Sequence, residues 1–407
     1  SVTSLTLWIS DTSSINPNRS PDNSIDMEFL RKVVSRMQRL VPRITKLDAH
    51  GVCSSPFFQN FYGLLAAAYS GQLGRIVIRN KIKAMPEMQY FGKLTRLVIK
   101  INTESICYLP YVCAESLVFL HMKNVPINFT WPTSCQTVVF SNLQDLDLEY
   151  DKYNVKNRLI DKEIKSRVQS SNLFFPAIKR LRIRGITGQF PDLLCGKFAS
   201  DMELVEIEGS KKAIDCVLAG KVPQAQNLVM DATISDDILK ANELCAIESL
   251  TSSSKINVAV KLNVLRRSAI SMLDNIALSR LTELRILPSM DFNKAMDLIS
   301  RLPRLKYLRI CLGQTEESSD NANTSKEVEL QTMRVEPIST SLEIISLQFS
   351  TFNWVSDDNI LAFKRLCLAI PSLSKIHAFQ IPKKQIAEFV KQYKHEYPHL
   401  ATTKIYT

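Results

Sequence analysis

Three residues near the end of the chain, His395, Glu396 and His399, have the order H-E-x-x-H of a zinc-protease helix. Two histidines four residues apart bind one metal ion only on a helix, where positions i and i+4 share a face. Pro398 stands inside this motif, and a proline disrupts a helix interior at a cost of about 3 kcal/mol. Tyr397, directly before it, is pushed towards extended backbone. We therefore expect a helix that ends at this proline, and keep a zinc hydrolase at His395 and His399 only as an alternative.

Other patterns of catalysis or cofactor binding are missing from the sequence. There is no G-x-S-x-G elbow for a nucleophilic serine. Neither of the common glycine-rich phosphate loops occurs, in a chain with only 11 glycines. The nine cysteines are scattered without a C-x-x-C pair, which favours reduced, buried thiols. We therefore expect a protein that is not an enzyme, has no catalytic residue, metal or cofactor, and is intracellular, in the cytoplasm or nucleus.

The charge composition limits the partners. Lysine and arginine number 51 against 40 acidic residues, a net charge of +11, which suits nucleic acid or an acidic membrane only where the cations cluster. No apolar run approaches the roughly 20 residues that span a bilayer, so we expect no membrane association. The chain starts at Ser1 without a charged-then-apolar leader, which favours an excised or processed segment.

One pattern recurs along nearly the whole chain. Leu302–Ile310 has the form L-P-x-L-x-x-L-x-I, and equivalent residues at 76, 97, 120 and 146 follow each other after 21, 23 and 26 residues. Similar spellings occur at Val41–Leu47, Leu73–Asn80, Leu94–Ile99, Leu117–Asn124, Leu143–Leu148, Phe175–Ile183, Met202–Ile207, Val222–Met230, Leu278–Ile286, Leu342–Leu347 and Ile370–Ile376. Ile256–Val258 is a weak copy and Leu5–Leu7 a truncated one.

The repeated unit reads as a helix, a turn and a short parallel strand. Alternating apolar residues predict a half-buried strand, which has to stack on neighbours to bury its face. Apolar residues three and four apart predict helices at Met27–Leu40, at residues 293–302 and at residues 358–370. Each predicted helix runs into a Leu-Pro, Val-Pro or Ile-Pro boundary at which proline stops it.

This period and spelling resemble the leucine-rich repeat family. The resemblance implies an α/β solenoid, with a curved parallel sheet on the concave face and helices on the convex face. It implies a single irregular domain over 1–407 with about 12–14 repeats. The asparagine that closes a regular repeat is plausible only at Asn80 and Asn124. Polar, charged segments predict a flexible loop insertion at 313–340 and a loop or extra helix at 151–172.

In such a solenoid, the residues between the buried leucines face a partner. These predicted partner-binding residues are Arg75, Arg79, Arg96, Lys100, His121, Lys123, Asp145, Asp147, Glu149, Arg180, Arg182, Arg184, Glu206, Glu208, Arg285, Tyr307, Arg309, His377 and Phe379. Their charges alternate in bands from strand to strand. The bands form either a recognition surface or a set of cross-strand pairs that neutralise each other, and the two interpretations are compatible.

The sequence thus predicts non-catalytic protein–protein recognition through the concave face. The irregular repeats resemble those of fungal and other F-box adaptor proteins, which implies substrate recognition for an SCF-type, cullin-containing ubiquitin ligase. No F-box is visible before the first repeat, so a cullin-ligase adaptor is expected as a partner only if an F-box lies upstream. The alternative is nucleic-acid or ribonucleoprotein binding through the basic bank Arg75–Lys123, although the banding disfavours a continuous basic track.

Overall fold

The computed structural model describes residues 2–9, 27–51, 56–78, 91–100, 109–125, 137–150, 173–186, 197–219, 222–234, 243, 246, 257–266, 280–312, 338, 341–349, 357–378, 381 and 383–406. The chain divides into two compact units, Ser1–Glu208 with Ala219–Gln226, and Gly209–Leu218 with Asn227–Thr407. A single repeat domain stays a prediction. The predicted segment 151–172 lies outside the described residues. Of the predicted loop insertion 313–340, only Ile338 is described.

The first unit is built on parallel strands that lie side by side in chain order, β1-β2-β3-β4-β5-β7-β9, with β11 next in the order. Their bounds are β1 Ser4–Ile9, β2 Lys46–Gly51, β3 Arg75–Ile78, β4 Arg96–Lys100, β5 Phe119–Val125, β7 Asp145–Tyr150, β9 Arg180–Ile186 and β11 Met202–Ser210. Three shorter strands, β6 Val138–Val139, β8 Leu173–Phe175 and β10 Lys197–Phe198, form a second parallel sheet in the order β10-β8-β6.

Alternation within the strands produces the core of this unit. Leu47, Ile76, Leu97, Leu120 and Leu146 align in register on neighbouring strands, and each is at most 1% exposed. Burying such a side chain contributes about 1.5–3 kcal/mol. The residues between them point to the opposite face, because side chains alternate along a strand.

The short strands β6, β8 and β10 bring three phenylalanines into a row. The rings of Phe140 and Phe175 stack at 5.2 Å between centroids, and those of Phe175 and Phe198 at 5.3 Å. Phe140 and Phe175 are fully buried. The sequence did not predict these strands, because two or three residues are too few to show a period.

Helices α1 Met27–Leu40, α2 Pro56–Ala68 and α3 Leu109–Val112 connect strands of the first unit. Parallel crossovers are right-handed, and the strands of this sheet follow each other in chain order. The connections that contain these helices therefore lie on one face of the sheet, the face of the apolar core. Leu30 and Val34 are buried in α1, and Gln38 donates to the carbonyl of Ala68 at 2.6 Å, which joins α1 to α2. None of the described helices combines the length and the apolar character needed to cross a membrane.

The second unit repeats this construction. Its strands lie parallel in chain order from β12 to β18. Their bounds are β12 Ala225–Ile234, β13 Asn257–Val264, β14 Leu281–Met290, β15 Tyr307–Leu312, β16 Ile344–Phe349, β17 Lys375–Ala378 and β18 Lys404–Tyr406. The helices are α4 Lys211–Leu218, α5 Phe292–Arg301, α6 Asp357–Ala369 and α7 Lys383–Tyr393.

The helices predicted at Met27–Leu40, at residues 293–302 and at residues 358–370 agree with the structure to within a residue or two. Helix α5 begins after Asp291, whose side chain accepts from the backbone N–H of Asn293 at 2.8 Å, and it ends directly before Leu302 and Pro303. Each predicted repeat contains or leads into a strand, including the weak copy at Ile256–Val258, which becomes β13. The α/β class with a large parallel sheet is therefore confirmed.

Candidate recognition surfaces

The predicted partner-binding residues of the first unit lie on the sheet face opposite the apolar core. They occupy the partly exposed positions that alternate with buried leucines and isoleucines on β3, β4, β5, β7, β9 and β11. Asp147 differs from the rest, because only 8% of it is exposed. Arg79 lies outside the described residues.

The acidic and basic bands pair with each other across the strands. As expected, the arginines of β9 lie between the acids of β7 and β11. Arg180 donates to Asp145 with Nη2 2.9 Å from Oδ2. The Nε of Arg182 is 3.0 Å from Oε2 of Glu206 on the other side. These two pairs are half-exposed and contribute at most about 1 kcal/mol each, but they fix the positions of long side chains.

The third arginine of β9 forms the centre of a denser cluster. Arg184 Nη2 lies 2.8 Å from both carboxylate oxygens of Asp147 and 3.3 Å from Nε2 of His121. That His121 nitrogen is also 3.7 Å from Asp147 and 3.9 Å from Glu149. Because a guanidinium has donors only, the contact from Arg184 requires Nε2 to accept, with the ring proton on Nδ1.

Burial and neighbouring charges tune this cluster. Burial lowers the pKa of His121 from its usual 6.5, Lys123 and Arg184 lower it further, and Asp147 and Glu149 oppose this only in part. Burial by itself lowers the pKa of Arg184, but its hydrogen bond to Asp147 and the nearby carboxylates outweigh that, and the net pKa is raised. The cluster therefore holds a neutral imidazole against the ion pair of Arg184 and Asp147.

The predicted basic bank is partly neutralised. Arg75 Nη2 lies 3.3 Å from Asp48, and Lys123 Nζ lies 3.8 Å from Glu149. The guanidinium of Arg96 lies over the ring of Phe119, 4.0 Å from its centroid, which is cation–π geometry. Acidic partners on two members of the bank weaken the continuous positive field that a nucleic-acid backbone needs.

In the second unit, the predicted residues fall on neighbouring strands of one face. Arg285 is the register partner of Arg309, and Arg309 is followed by Ser346 and His377 across the sheet. The Arg285 guanidinium lies 5.4 Å from the ring centroid of Tyr307. Phe379, predicted for the same surface, lies outside the described residues.

Sequence reasoning missed the last strand, β18, which pairs with the predicted strand β17. Lys375 and Lys404 are register partners, as are His377 and Tyr406, whose rings stack at 4.8 Å. The run from Pro398 to Ile405 resembles the run from Pro371 to Ile376 that precedes β17, but it is two residues longer. Because of this extra length, the repeat pattern did not predict β18, although Pro398, Leu400 and Ile405 match the residue types of the other copies.

The histidines of the H-E-x-x-H motif do not share a helix. Helix α7 ends at Tyr393, and Pro398 begins a short 3₁₀ helix, Pro398–Ala401. The helix thus ends earlier than the predicted stop at Pro398. Tyr397 has φ −122° and ψ 83°, outside helical geometry, as expected before proline. His399 Nε2 lies 2.9 Å from the Cys367 carbonyl, to which it donates. Among the described residues, no group of three His, Cys, Asp or Glu side chains could hold a metal ion.

Comparison with known proteins does not extend these observations. No protein-family model matches the chain, and no curated protein matches it significantly. What defines its class is therefore the α/β fold with parallel strands and the charged faces described above.

Proposed function

We propose that this chain is a non-catalytic protein-recognition module, which binds a partner protein through the polar face of its parallel strands. The observation that carries the proposal is the network of cross-strand ion pairs on β7, β9 and β11. It holds arginine and carboxylate side chains in fixed positions, at positions of these strands that alternate with the buried leucines and isoleucines.

Such a face suits a folded protein partner for energetic reasons. Ordering long, flexible side chains on binding costs about 0.5–1.5 kcal/mol for each. Side chains that already pair across strands are ordered in the free protein, so binding requires little further loss of their conformational entropy. Alternating charges also select a partner with the complementary alternation, which contributes to specificity and to the association rate.

The resemblance to leucine-rich repeats supports the same function. Strands at about a dozen copies of the repeat, with helices before several of them, agree with that family's construction, in which the sheet forms the concave, partner-binding face. The more specific hypothesis is substrate recognition within a cullin-containing ubiquitin ligase, as in F-box adaptors. The buried free cysteines Cys113, Cys216 and Cys367 support an intracellular location.

The test is quantitative affinity purification with a matched pair of variants. Arg180→Ala with Arg182→Ala removes two half-exposed side chains of the polar face, and Arg31→Ala with Arg36→Ala removes two exposed arginines of helix α1. We expect a partner that the wild-type chain and the α1 variant recover equally and the β9 variant loses. Recovery of cullin-ligase subunits would support the adaptor hypothesis.

Two results would contradict the proposal. One is a set of recovered proteins that responds equally to both variants. The other is recovery that disappears on nuclease treatment, which would favour the nucleic-acid alternative through the bank Arg75–Lys123. In that case binding falls steeply with salt, and reversing the charges of Arg96 and Lys100 abolishes it.

A further inference from the structure

We propose that the outward face of β15, β16, β17 and β18 binds an acidic segment of a partner protein. This inference rests on the proposed function and names the chemistry of one of its partners. The face is called the acid-free patch below. It consists of Tyr307, Arg309, Ile344, Lys375, His377, Lys404 and Tyr406, with the buried Ser346 between Arg309 and His377.

The charges on the acid-free patch lack the compensation found in the first unit. The strands β15 to β18 contain no aspartate or glutamate. Two described acids next to these strands already have partners: Glu283 on the adjacent β14 pairs with Lys261 and Arg285, and Glu343, directly before β16, pairs with Lys306. Within the described ranges, Arg309, Lys375 and Lys404 have no acidic partner.

The register sets like charges opposite each other. Lys375 and Lys404 are direct cross-strand partners, about 4.8 Å apart in backbone terms, an arrangement that destabilises a sheet. In the first unit Arg75 and Arg96 have the same relationship, but there Asp48 and the ring of Phe119 compensate their charges. A bound carboxylate between the two lysines would supply the compensation that the acid-free patch lacks.

The dimensions of the patch suit a short extended segment. Four strands span three inter-strand spacings, about 14 Å, which equals about four residues of extended chain. Arg309 lies at one end and Lys404 at the other. Tyr406 is 46% exposed and follows Lys404 by two residues, so that both lie on the same face of β18. A segment with two or more carboxylates could therefore reach both ends of the patch.

A polypeptide fits these features better than a nucleic acid. Single-stranded nucleic acids bind through bases that stack on open aromatic faces. Here the rings of His377 and Tyr406 stack on each other with an angle of 13°, so that each has one face covered. On β14 the cation next to Arg309 is Arg285, which pairs with Glu283, whereas a nucleic-acid backbone needs a longer track of uncompensated cations.

The test measures binding of a fluorescein-labelled oligoglutamate peptide to the full chain by fluorescence anisotropy in low salt. The variant Lys375→Gln with Lys404→Gln removes the like-charge pair, and both side chains lie on an exposed surface, so folding is preserved. Arg31→Gln with Arg36→Gln removes the same charge from α1 and serves as the control. We expect the Kd to rise about tenfold in the lysine variant and less than about twofold in the control.

A second measurement separates a binding role from a structural one. Because the lysines repel each other in the free protein, Lys404→Gln should raise Tm by about 1 °C in low salt. Screening in about 0.5 M NaCl should remove this gain. A patch that served only stability would lose Tm on the same substitution, and that result would overturn the proposal.

Other outcomes decide against the patch as well. They are the absence of wild-type binding, an equal loss in both variants, and tighter binding of a short oligothymidylate that the lysine variant abolishes. The last would assign the patch to nucleic acid. The affinity purification could recover a partner that the β9 variant loses while the labelled peptide shows no binding. The proposed function would then stand, and only the acid-free patch would be refuted.

Discussion

The guanidinium of Arg184 on β9 binds the carboxylate of Asp147 on β7 diagonally across the two strands, with Nη2 2.8 Å from each oxygen. The direct register partner of Arg184 is Glu149, so the pair is offset by two residues. This offset carries the positive charge to the more buried acid. Asp147 is charged and nearly buried, and the ion pair accounts for that burial.

Removing the acid from this pair should destabilise the first unit. Asp147→Ala leaves Arg184, whose side chain is 30% exposed, without its main partner, and we expect a loss of about 2 kcal/mol, less than for a fully buried pair. Asp145→Ala is the matched control, because its partner Arg180 is 53% exposed, and should cost less than about 1 kcal/mol. Urea unfolding measures both, and equal losses would contradict this account.

The stability of the first unit should depend on pH through His121. Since burial and the cations Lys123 and Arg184 outweigh Asp147 and Glu149, the folded pKa lies below the unfolded value of 6.5. As pH falls below 6.5, the unfolded chain therefore takes up a proton before the folded one does. The stabilising contribution is complete above that pH and declines towards the lower folded pKa.

His121→Gln keeps a hydrogen-bond acceptor for Arg184 but does not titrate. We expect the loss of stability between about pH 7.5 and about pH 5 to be smaller in this variant than in the wild type. Urea unfolding midpoints at both pH values provide the comparison. An identical pH dependence in the two proteins would show that His121 is not protonated differently on unfolding.

The phenylalanine row of the second, smaller sheet should be important for folding. Phe175 lies between Phe140 and Phe198 and is fully buried, so Phe175→Ala should cost about 3–5 kcal/mol. Phe198 at the end of the described row is only half-buried, and Phe198→Ala should cost clearly less. Chemical denaturation tests the order of the two effects, and the reverse order would contradict a central role for Phe175.

His399 should act in structure rather than in metal binding. Its ring donates to the carbonyl of Cys367 at 2.9 Å, so His399→Ala should lower stability by about 1 kcal/mol. Addition of zinc should leave Tm unchanged in the wild type. A rise in Tm with zinc that disappears in both His395→Ala and His399→Ala would restore the metal site as a serious hypothesis.

Much of the fold could be predicted from the sequence because the signals are local. A strand such as Asp145–Tyr150 alternates polar and apolar residues over its first five positions, and proline marks the end of a helix such as α5. Strands as short as Val138–Val139 carry no such period, and β18 followed a longer turn than the other copies. These elements form because neighbouring strands supply their backbone hydrogen bonds and shield their side chains from solvent.

The sequence by itself determined which residues of the strands are buried and which face outward, since alternation along a strand follows from backbone geometry alone. It also predicted that strands with acidic residues would flank the arginines of β9. Only the tertiary structure decided that Arg184 binds Asp147 rather than Glu149, and that Lys375 meets Lys404. Such choices depend on register and on side-chain reach between segments distant in sequence, which no local pattern encodes.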